Sequence, residues 1–355
     1  MYTEALSAFF LAAVWMLVLA PFARRYGVVD KPDARKQHRG EVPLIGGLAI
    51  FTSVLTLLPL FTPLTPDLLW YLGAAGLLVL FGVIDDRFNL GVSVRVAVEV
   101  VAGLMMIFGA DLWVGHLGNL LGFRDLYMPL WLAAPFTIIA VFGITNAWNM
   151  IDGMDGLAGT VTLMAMGGFY FLTHEGGGNN QLSGLLLGAT AAFLLFNICN
   201  NRLVPKVFLG DAGSKLIGFT LVWLLIDCTQ KGEFSGMSLP PALALFVVGL
   251  PLIDMVATTI RRVRKGLPPF RSDRSHVHHI LQEEGFSRQE ILLLIACVAG
   301  LINLVGGLLY AWGAPDWLLF AVFWLLTALY MIGIERTGLL ARGLLGQNTG
   351  EQQHG

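Results

Sequence analysis

Acidic side chains stand at the ends of several apolar stretches, where a carboxylate is costly unless it is paired or functional. Asp85 and Asp86 are adjacent in FGVIDDRFNLG (81–91), and Asp211 lies in KVFLGDAGS (206–214). Adjacent carboxylates suit Mg²⁺ binding or acid–base chemistry. A solvated helix end is the alternative for the first pair, and a cap on the following helix is the alternative for Asp211.

The densest polar pattern between two apolar stretches is NAWNMIDGMDGLAG (146–159). Asn146, Asn149, Asp152 and Asp155 recur every three residues, which places them on one face of a helix or helical turn. The glycines let a ligand approach the backbone, and the first N–H groups of the following helix favour an anion. An interfacial turn is the alternative, but so many amides and acids together favour a ligand site.

Histidine and arginine share the last long polar segment, RRVRKGLPPFRSDRSHVHHI (261–280). The basic residues at its start are typical anchors of a cytoplasmic loop. The residues that follow form a predicted anion-binding surface: Arg271, Asp273, Arg274, His276, His278 and His279. Zinc is the rival interpretation of the histidines, but no cysteine lies among them.

Membrane helices must position these residues. The chain has 355 residues, of which 56% are hydrophobic and 13% charged, whereas an average soluble domain has about 25% charged residues. This composition excludes a soluble globular protein, a disordered chain and a nucleic-acid-binding protein. No Walker A, GxGxxG or GxSxG motif is present, so P-loop ATPases, Rossmann dehydrogenases and serine hydrolases have no support.

Eleven apolar stretches approach the length of about 20 residues that a helix needs to cross a bilayer. They lie near 4–23, 44–62, 68–84, 94–110, 128–145, 156–174, 181–199, 214–229, 238–260, 289–312 and 315–335. The sequence therefore predicts an all-α integral membrane protein with about eleven transmembrane helices. A break is expected near Pro251, because proline removes an intrahelical hydrogen bond.

The positive charges set the predicted orientation. With the N-terminus in the periplasm, only Arg124 and Lys231 of the 22 Lys and Arg residues fall outside the cytoplasmic segments. The C-terminus and the polar motifs then lie at the cytoplasmic face. We expect one polytopic domain over 1–342 and a disordered cytoplasmic tail over 343–355.

Carboxylates suited to Mg²⁺ and cations suited to phosphate thus meet at the inner end of a helical bundle. A diphosphate substrate with a divalent metal fits this combination best, because the metal neutralises the diphosphate and Arg and His hold its oxygens. Apolar walls would admit a lipid co-substrate from the membrane. The residue types alone predict Mg²⁺-dependent chemistry on a phosphorylated lipid.

The motifs together resemble those of the polyprenyl-phosphate N-acetylhexosamine-1-phosphate transferases. DDRFNLG resembles the aspartate-rich first motif of that family, NMIDGMDGLAG its second signature, VFLGDAGS its metal-binding motif and PFRSDRSHVHHIL its His-rich loop. The resemblance covers about 24–290. The interrupted histidines, His276-Val277-His278-His279, resemble the branch that uses UDP-GlcNAc rather than the branch that uses UDP-MurNAc-pentapeptide.

The resemblance implies transfer of GlcNAc-1-phosphate from UDP-GlcNAc to undecaprenyl phosphate in the bacterial inner membrane, as the first step of O-antigen or enterobacterial common antigen synthesis. It implies Asp85 and Asp86 as catalytic residues, and Asp211 and Asp152 as ligands of Mg²⁺, with Mn²⁺ as a substitute. The implied substrate-binding residues are Asn149, Asp155, Phe208, Arg271, Asp273, Arg274, His276, His278 and His279.

Several alternatives remain open from the sequence. The donor could instead be UDP-MurNAc-pentapeptide or UDP-GalNAc, and Phe208 could stack on uracil or only pack. A single in-line displacement is the favoured mechanism, and a two-step route with Asp85 as nucleophile is its rival. A transporter for a polyprenyl carrier or an anion is the alternative of another class. A homodimer is compatible with the sequence.

Overall fold

The computed structural model describes residues 2–31, 40–174, 181–199, 204–231, 239–268 and 276–350; the side chains of His174 and of residues 337–350 are not described. Within these ranges the chain is mostly helical, with a long non-helical segment over 110–129 and one two-stranded antiparallel sheet, β1 (Val29–Asp30) with β2 (Val42–Pro43). The helices are α1 (Tyr2–Tyr26), α2 (Gly46–Phe61), α3 (Pro66–Phe88), α4 (Val92–Leu104), α5 (Leu130–Ile151), α6 (Leu157–His174), α7 (Gln181–Ile198), α8 (Gly210–Ile226), α9 (Pro241–Val247), α10 (Gly249–Arg264), α11 (Val277–Glu283), α12 (Arg288–Ala311) and α13 (Asp316–Gly350). Short π-helical segments, Met105–Gly109 and Asp227–Lys231, continue α4 and α8.

The membrane character predicted from the sequence is confirmed. Among the described residues, 8 helices are long and apolar enough to cross a membrane, and a ninth span results if α9 and α10 are counted together. Two shorter apolar helices cover 46–61 and 157–173. Each of the eleven predicted stretches therefore contains helix, while the count of eleven spans and the orientation stay predictions.

The expected break in the ninth stretch is also confirmed. α9 and α10 are bent by 84° at Val248. Pro251 then occupies the first turn of α10, where its missing N–H costs no intrahelical hydrogen bond. The proline is thus tolerated because the helix restarts just before it.

The chain differs from the sequence expectation at one place. α11 is an additional short helix in the last polar loop, where the sequence has no apolar stretch that predicts it. The disorder expected over 343–355 stays a prediction. The assignment of 1–342 to one domain stays a prediction.

α8 is the central helix of the bundle, and its entire apolar length is buried. Its first turn is wedged between α2 and α3 by backbone-to-backbone contacts that leave no room for a Cβ on Gly47, Gly82 or Gly213. Small residues permit such close approach of membrane helices. The sequence GDAGS therefore begins a helix that is held on two sides by other backbones.

The segment leading into α8 is fixed in the same region. The Gly46 amide donates to the Phe208 carbonyl at 2.9 Å, and the Gly47 amide donates to the Leu209 carbonyl at 3.0 Å. The Phe208 amide donates in turn to the Pro43 carbonyl at 2.9 Å. The start of α2 and the approach to α8 therefore form one rigid unit.

Candidate active site

Asp85 lies at the end of α3 and is held by its own turn and by α4. α3 ends at Phe88, and Asn89 adopts a left-handed conformation. The Leu90 amide donates to Asp85 Oδ1 at 2.7 Å. Arg95 Nε lies 2.8 Å from Asp85 Oδ2, although its N–H is directed to the Leu90 carbonyl at 3.1 Å. One oxygen of this buried carboxylate is therefore hydrogen-bonded, whereas Oδ2 has the ion-pair contact with Arg95 but no described hydrogen-bond donor.

Asp86 contacts the first turn of α8. Its Oδ1 accepts from the Asp211 amide at 2.9 Å, an arrangement that the unpaired N–H groups of a helix N-terminus favour. Gly210 has φ +73°, and a Cβ there would collide with Asp86 Oδ2, so both the backbone conformation and the space require glycine. Asp86 Oδ2 is buried, and no described group donates a hydrogen bond to it.

Side chains from α3, α4 and α5 surround Asp211, which lies on α8. Asn149 Nδ2 on α5 donates to Asp211 Oδ1 at 2.8 Å and lies 3.1 Å from Ser214 Oγ. Arg95 Nη1 on α4 lies 3.8 Å from Asp211 Oδ2, and the carboxyl group of Asp85 on α3 is an immediate electrostatic neighbour. The fold thus brings together Asp85, Asp86, Asn149 and Asp211, as the motifs predict.

Asp152 follows directly after α5 and joins the same group. Burial, together with the negative charges of Asp211 and Asp86, raises the pKa of Asp152 well above its usual range. We call Asp85, Asp86, Asp152 and Asp211 the carboxylate cluster. Arg95 is the cation that the described contacts place beside it, so the cluster carries an excess of negative charge.

A hard cation fits the chemistry of this cluster. Within the described ranges, no three His, Cys, Asp or Glu side chains are arranged as a ready-made metal site. The donors are nevertheless all oxygen, as Mg²⁺ prefers. The partnerless Asp86 Oδ2 and the raised pKa of Asp152 both indicate negative charge that the protein itself leaves uncompensated.

Asp155 lies apart from the carboxylate cluster, in a group of cations. It forms an ion pair with Lys206, and Arg288 Nη1 lies 2.7 Å from its Oδ2. The Lys206 Nζ also lies 5.2 Å from the centroid of the Phe208 ring. Burial lowers the pKa of Lys206. The two predicted substrate-binding residues Asp155 and Phe208 are therefore neighbours, linked by a lysine that sequence reasoning did not single out.

His276 is oriented by a buried acid. Its Nδ1 lies 2.8 Å from Asp254 Oδ2, and Asp254 Oδ1 accepts from Tyr330 Oη at 2.7 Å and from the Val277 amide at 3.2 Å. A carboxylate partner on one ring nitrogen sets the tautomer and directs the other nitrogen. The other ring nitrogen, His276 Nε2, lies 3.5 Å from Arg262 Nη2.

His278 connects the histidines to the 152–155 segment. Its side chain is only 1% exposed, and the ring fills the space where Gly153 would carry a Cβ. Among the described residues, neither ring nitrogen has a hydrogen-bond partner. The ring centroids of His278 and His279 are 4.1 Å apart. Burial, helped by His279 and His276, lowers the pKa of His278 to about 3. We call Asp254, His276, His278 and His279 the histidine cluster.

Three predicted residues, Arg271, Asp273 and Arg274, lie outside the described residues, so their roles stay predictions. Sequence reasoning gave no site role to other residues that the structure places at the site or next to it: Arg95, Lys206, Asp254, Arg288 and, one helical turn away, the buried pair Glu99 and Lys215. A signal existed for Glu99, which is a lone acid inside an apolar stretch. Arg95 and Lys215 had been counted only as positive-inside charges.

A helical membrane bundle with carboxylates and histidines at the ends of its helices has the features of the phospho-sugar transferases, which transfer a sugar phosphate to a membrane lipid. The family described as Glycosyl transferase family 4 matches residues 68–229, which contain three of the four signature motifs. This match agrees with the class that the motifs predict.

The chain aligns with similar proteins over nearly its whole length. It is 35% identical to the undecaprenyl-phosphate alpha-N-acetylglucosaminyl 1-phosphate transferase of Yersinia pestis, over 96% of this chain and 93% of the relative. It is 34% identical to the protein of the same name in Escherichia coli strain K12, over 96% and 92%, and 34% identical to that of Haemophilus influenzae, over 93% and 93%. The chain belongs to this family of phospho-sugar transferases.

Proposed function

We propose that the chain transfers GlcNAc-1-phosphate from UDP-GlcNAc to undecaprenyl phosphate and releases UMP. The observation that carries the proposal is the convergence of Asp85, Asp86, Asn149 and Asp211 at the ends of apolar helices. The names of the relatives supply the acceptor and the sugar. The positive-inside distribution of Lys and Arg supports a cytoplasmic site in the bacterial inner membrane.

We assign Mg²⁺, with Mn²⁺ as a substitute, to Asp211 and Asp152, beside the partnerless oxygen of Asp86. Such an ion neutralises a diphosphate and makes its phosphorus easier to attack. The raised pKa of Asp152 and the partial exposure of the Asp211 side chain support this assignment.

The chain's own residues position the reactants in a single displacement. A phosphate monoester has its second pKa at about 6, so the acceptor needs little activation at cytoplasmic pH. Asp85 accepts from the Leu90 amide and lies beside Arg95, which favours a role in orienting Arg95 over a role as nucleophile. Asp85 Oδ2 and Asp86 Oδ2 both lack a described hydrogen-bond donor, so either oxygen can accept a remaining proton.

The donor is held by the two other groups. Neutral His278, and His276 Nε2 together with the neighbouring Arg262, are suited to hydrogen-bond the sugar or the diphosphate. Phe208 offers its ring to uracil, and Lys206 and Arg288 lie close enough to meet a phosphate. Asp155, which pairs with both cations, then positions them.

The test is UMP release by the purified chain in detergent, with UDP-GlcNAc, undecaprenyl phosphate and Mg²⁺, with and without EDTA. We expect release that requires the lipid and is abolished by EDTA. UDP-MurNAc-pentapeptide and UDP-GalNAc serve as alternative donors. Release from either of them but not from UDP-GlcNAc would contradict the proposed sugar. No release from any donor would contradict the reaction itself.

A further inference from the structure

A buried ion pair crosses the bundle one helical turn away from the candidate active site. Lys215 Nζ on α8 lies 3.6 Å from Glu99 Oε1 on α4, and their side chains are 8% and 3% exposed. Asn146 Nδ2 on α5 donates to the other Glu99 oxygen at 3.0 Å. The roles proposed above use none of these three groups.

The same three helices build this pair and part of the active site, in two layers. The site layer consists of Arg95, Asn149 and Asp211, and the lower layer consists of Glu99, Asn146 and Lys215. On each helix the two members are three or four residues apart, so they lie one turn apart on the same face. The charges are reversed between the layers, because α4 provides the cation of the site layer and the anion of the lower layer.

The lower layer is poorly explained by stability alone. The free energy lost when two charges are removed from water is about as large as the free energy of their attraction. A buried ion pair is therefore weak evidence for stability. The best-attested use of a buried polar pair is to fix the register of one helix against another. A slide of α8 along α4 by one residue, a rise of about 1.5 Å, would disturb both layers together.

The contacts around the pair support a role in register. α5 and α8 are already fixed, since a Cβ on Gly218 would lie 2.7 Å from Thr145 Cα. α4 reaches α8 through long side chains, Arg95 in the site layer and Glu99 in the lower layer. The position of Arg95 beside Asp211 therefore depends on what holds α4.

We propose that Glu99 and Lys215 are positioning residues, whose ion pair sets the register at which Arg95 and Asp211 meet. The inference rests on the proposed function, which assigns Asp211 to the metal and the diphosphate. Its consequence is nevertheless measurable without turnover, because a displaced Asp211 binds a divalent cation less tightly.

The experiment compares the full chain in detergent with a neutral pair, E99Q with K215M, and a swapped pair, E99K with K215E. Mn²⁺ binding is titrated by electron paramagnetic resonance, and thermal unfolding and UMP release are measured on the same samples. We expect the neutral pair to unfold near the parent's temperature but to bind Mn²⁺ roughly tenfold more weakly, the size of effect seen for residues coupled by contact. We expect the swapped pair to recover most of the affinity.

The matched control is Tyr71→Phe, which removes an uncharged contact between α3 and α8, the 2.9 Å hydrogen bond to Thr220. It should leave Mn²⁺ affinity unchanged. Parent-like Mn²⁺ affinity and turnover in the neutral pair would overturn the proposal, as would a loss of affinity that only follows a loss of thermal stability. If the swapped pair does not fold, the neutral pair alone decides.

The two proposals fail in different ways. A parent chain that binds Mn²⁺ and shows the expected differences, but releases UMP from no donor, would overturn the proposed function and leave the positioning pair standing. A parent chain that turns over normally while the neutral pair matches it in every measurement would do the reverse. If the parent binds no Mn²⁺, the metal assignment is wrong, and turnover tests the pair instead. A lower kcat in the neutral pair, with an unchanged KM for UDP-GlcNAc, supports the proposal, and a parent-like kcat overturns it.

Discussion

The carboxylate cluster and the histidine cluster differ in how far the charges of their acids are compensated by neighbouring groups. In the histidine cluster, the oxygens of Asp254 accept from Tyr330, His276 and the Val277 amide. In the carboxylate cluster, Asp86 Oδ2 has no described donor, and neighbouring charges raise the pKa of Asp152. The acid of the histidine cluster is thus fully hydrogen-bonded, although the nitrogens of His278 have no described partner, whereas the carboxylate cluster leaves negative charge uncompensated. The difference supports the proposed division between hydrogen-bonded recognition and cation-dependent chemistry.

The largest effect should follow from Asp211→Asn, which keeps the shape of the residue and removes its charge. We expect UMP release to fall by roughly 10²–10³-fold, as for the loss of a central electrostatic group, and the Mg²⁺ dependence to shift to higher concentration. Initial rates across a Mg²⁺ titration measure both. Asp67→Asn, at the far end of α3 near Lys231, is the control and should change neither. An unchanged Mg²⁺ titration in Asp211→Asn would remove Asp211 from the metal site.

A smaller effect should follow from Asp254→Asn, because the change releases His276 without touching the carboxylate cluster. We expect kcat/KM for UDP-GlcNAc to fall by roughly 10–100-fold, as for the loss of a residue that orients a functional histidine. Steady-state kinetics check this at two Mg²⁺ concentrations, and the half-activating concentration should stay constant. Tyr330→Phe leaves the His276 contact intact and should cost less. A shifted Mg²⁺ requirement in Asp254→Asn would mean that the two clusters do not act separately.

The last prediction concerns pH, and its effect is on stability rather than on turnover. His278 has a pKa of about 3 in the folded chain, against its usual 6.5. Below about pH 6.5 the unfolded chain takes up a proton that the folded chain refuses, so His278 lowers stability as the pH falls towards 3, by up to ~1.4 kcal/mol per pH unit.

The measurement is the unfolding temperature in detergent between about pH 4 and 7, for the parent chain and for His278→Gln. The variant should lose less stability on acidification, because it lacks this group. Asp152, whose raised pKa acts in the opposite direction, is present in both chains and cancels in the difference. Parallel curves would mean that His278 accepts a proton in the folded state.

The sequence predicts the helices well, because a membrane span must be long, apolar and internally hydrogen-bonded. Even the break before Pro251 follows from the missing N–H of proline. α11 could not be predicted in this way, since its seven residues lie in a polar loop. The motifs also predict the carboxylate cluster, because Asp85, Asp152 and Asp211 each end or begin an apolar stretch.

The sequence does not predict which charges meet. Lys215 looks like one more cytoplasmic anchor until α8 is packed against α4 and brings it to Glu99. Arg95 likewise follows the first motif without any pattern that points to Asp211. Asp254 was noticeable near the end of a span, but its partner His276 depends on how α11 folds back. Such pairings are decided by helix packing, which local sequence does not encode.

The wedge of α8 between α2 and α3 has a consequence for mutational surveys of this chain. Gly47, Gly82 and Gly213 touch no substrate in the proposed reaction, yet a single methyl group at any of them would meet a neighbouring backbone. A growth-based screen would score these glycines as severely as Asp211. Measuring the amount of folded protein in the membrane alongside growth would separate the two classes, since changes at the glycines should deplete the protein itself.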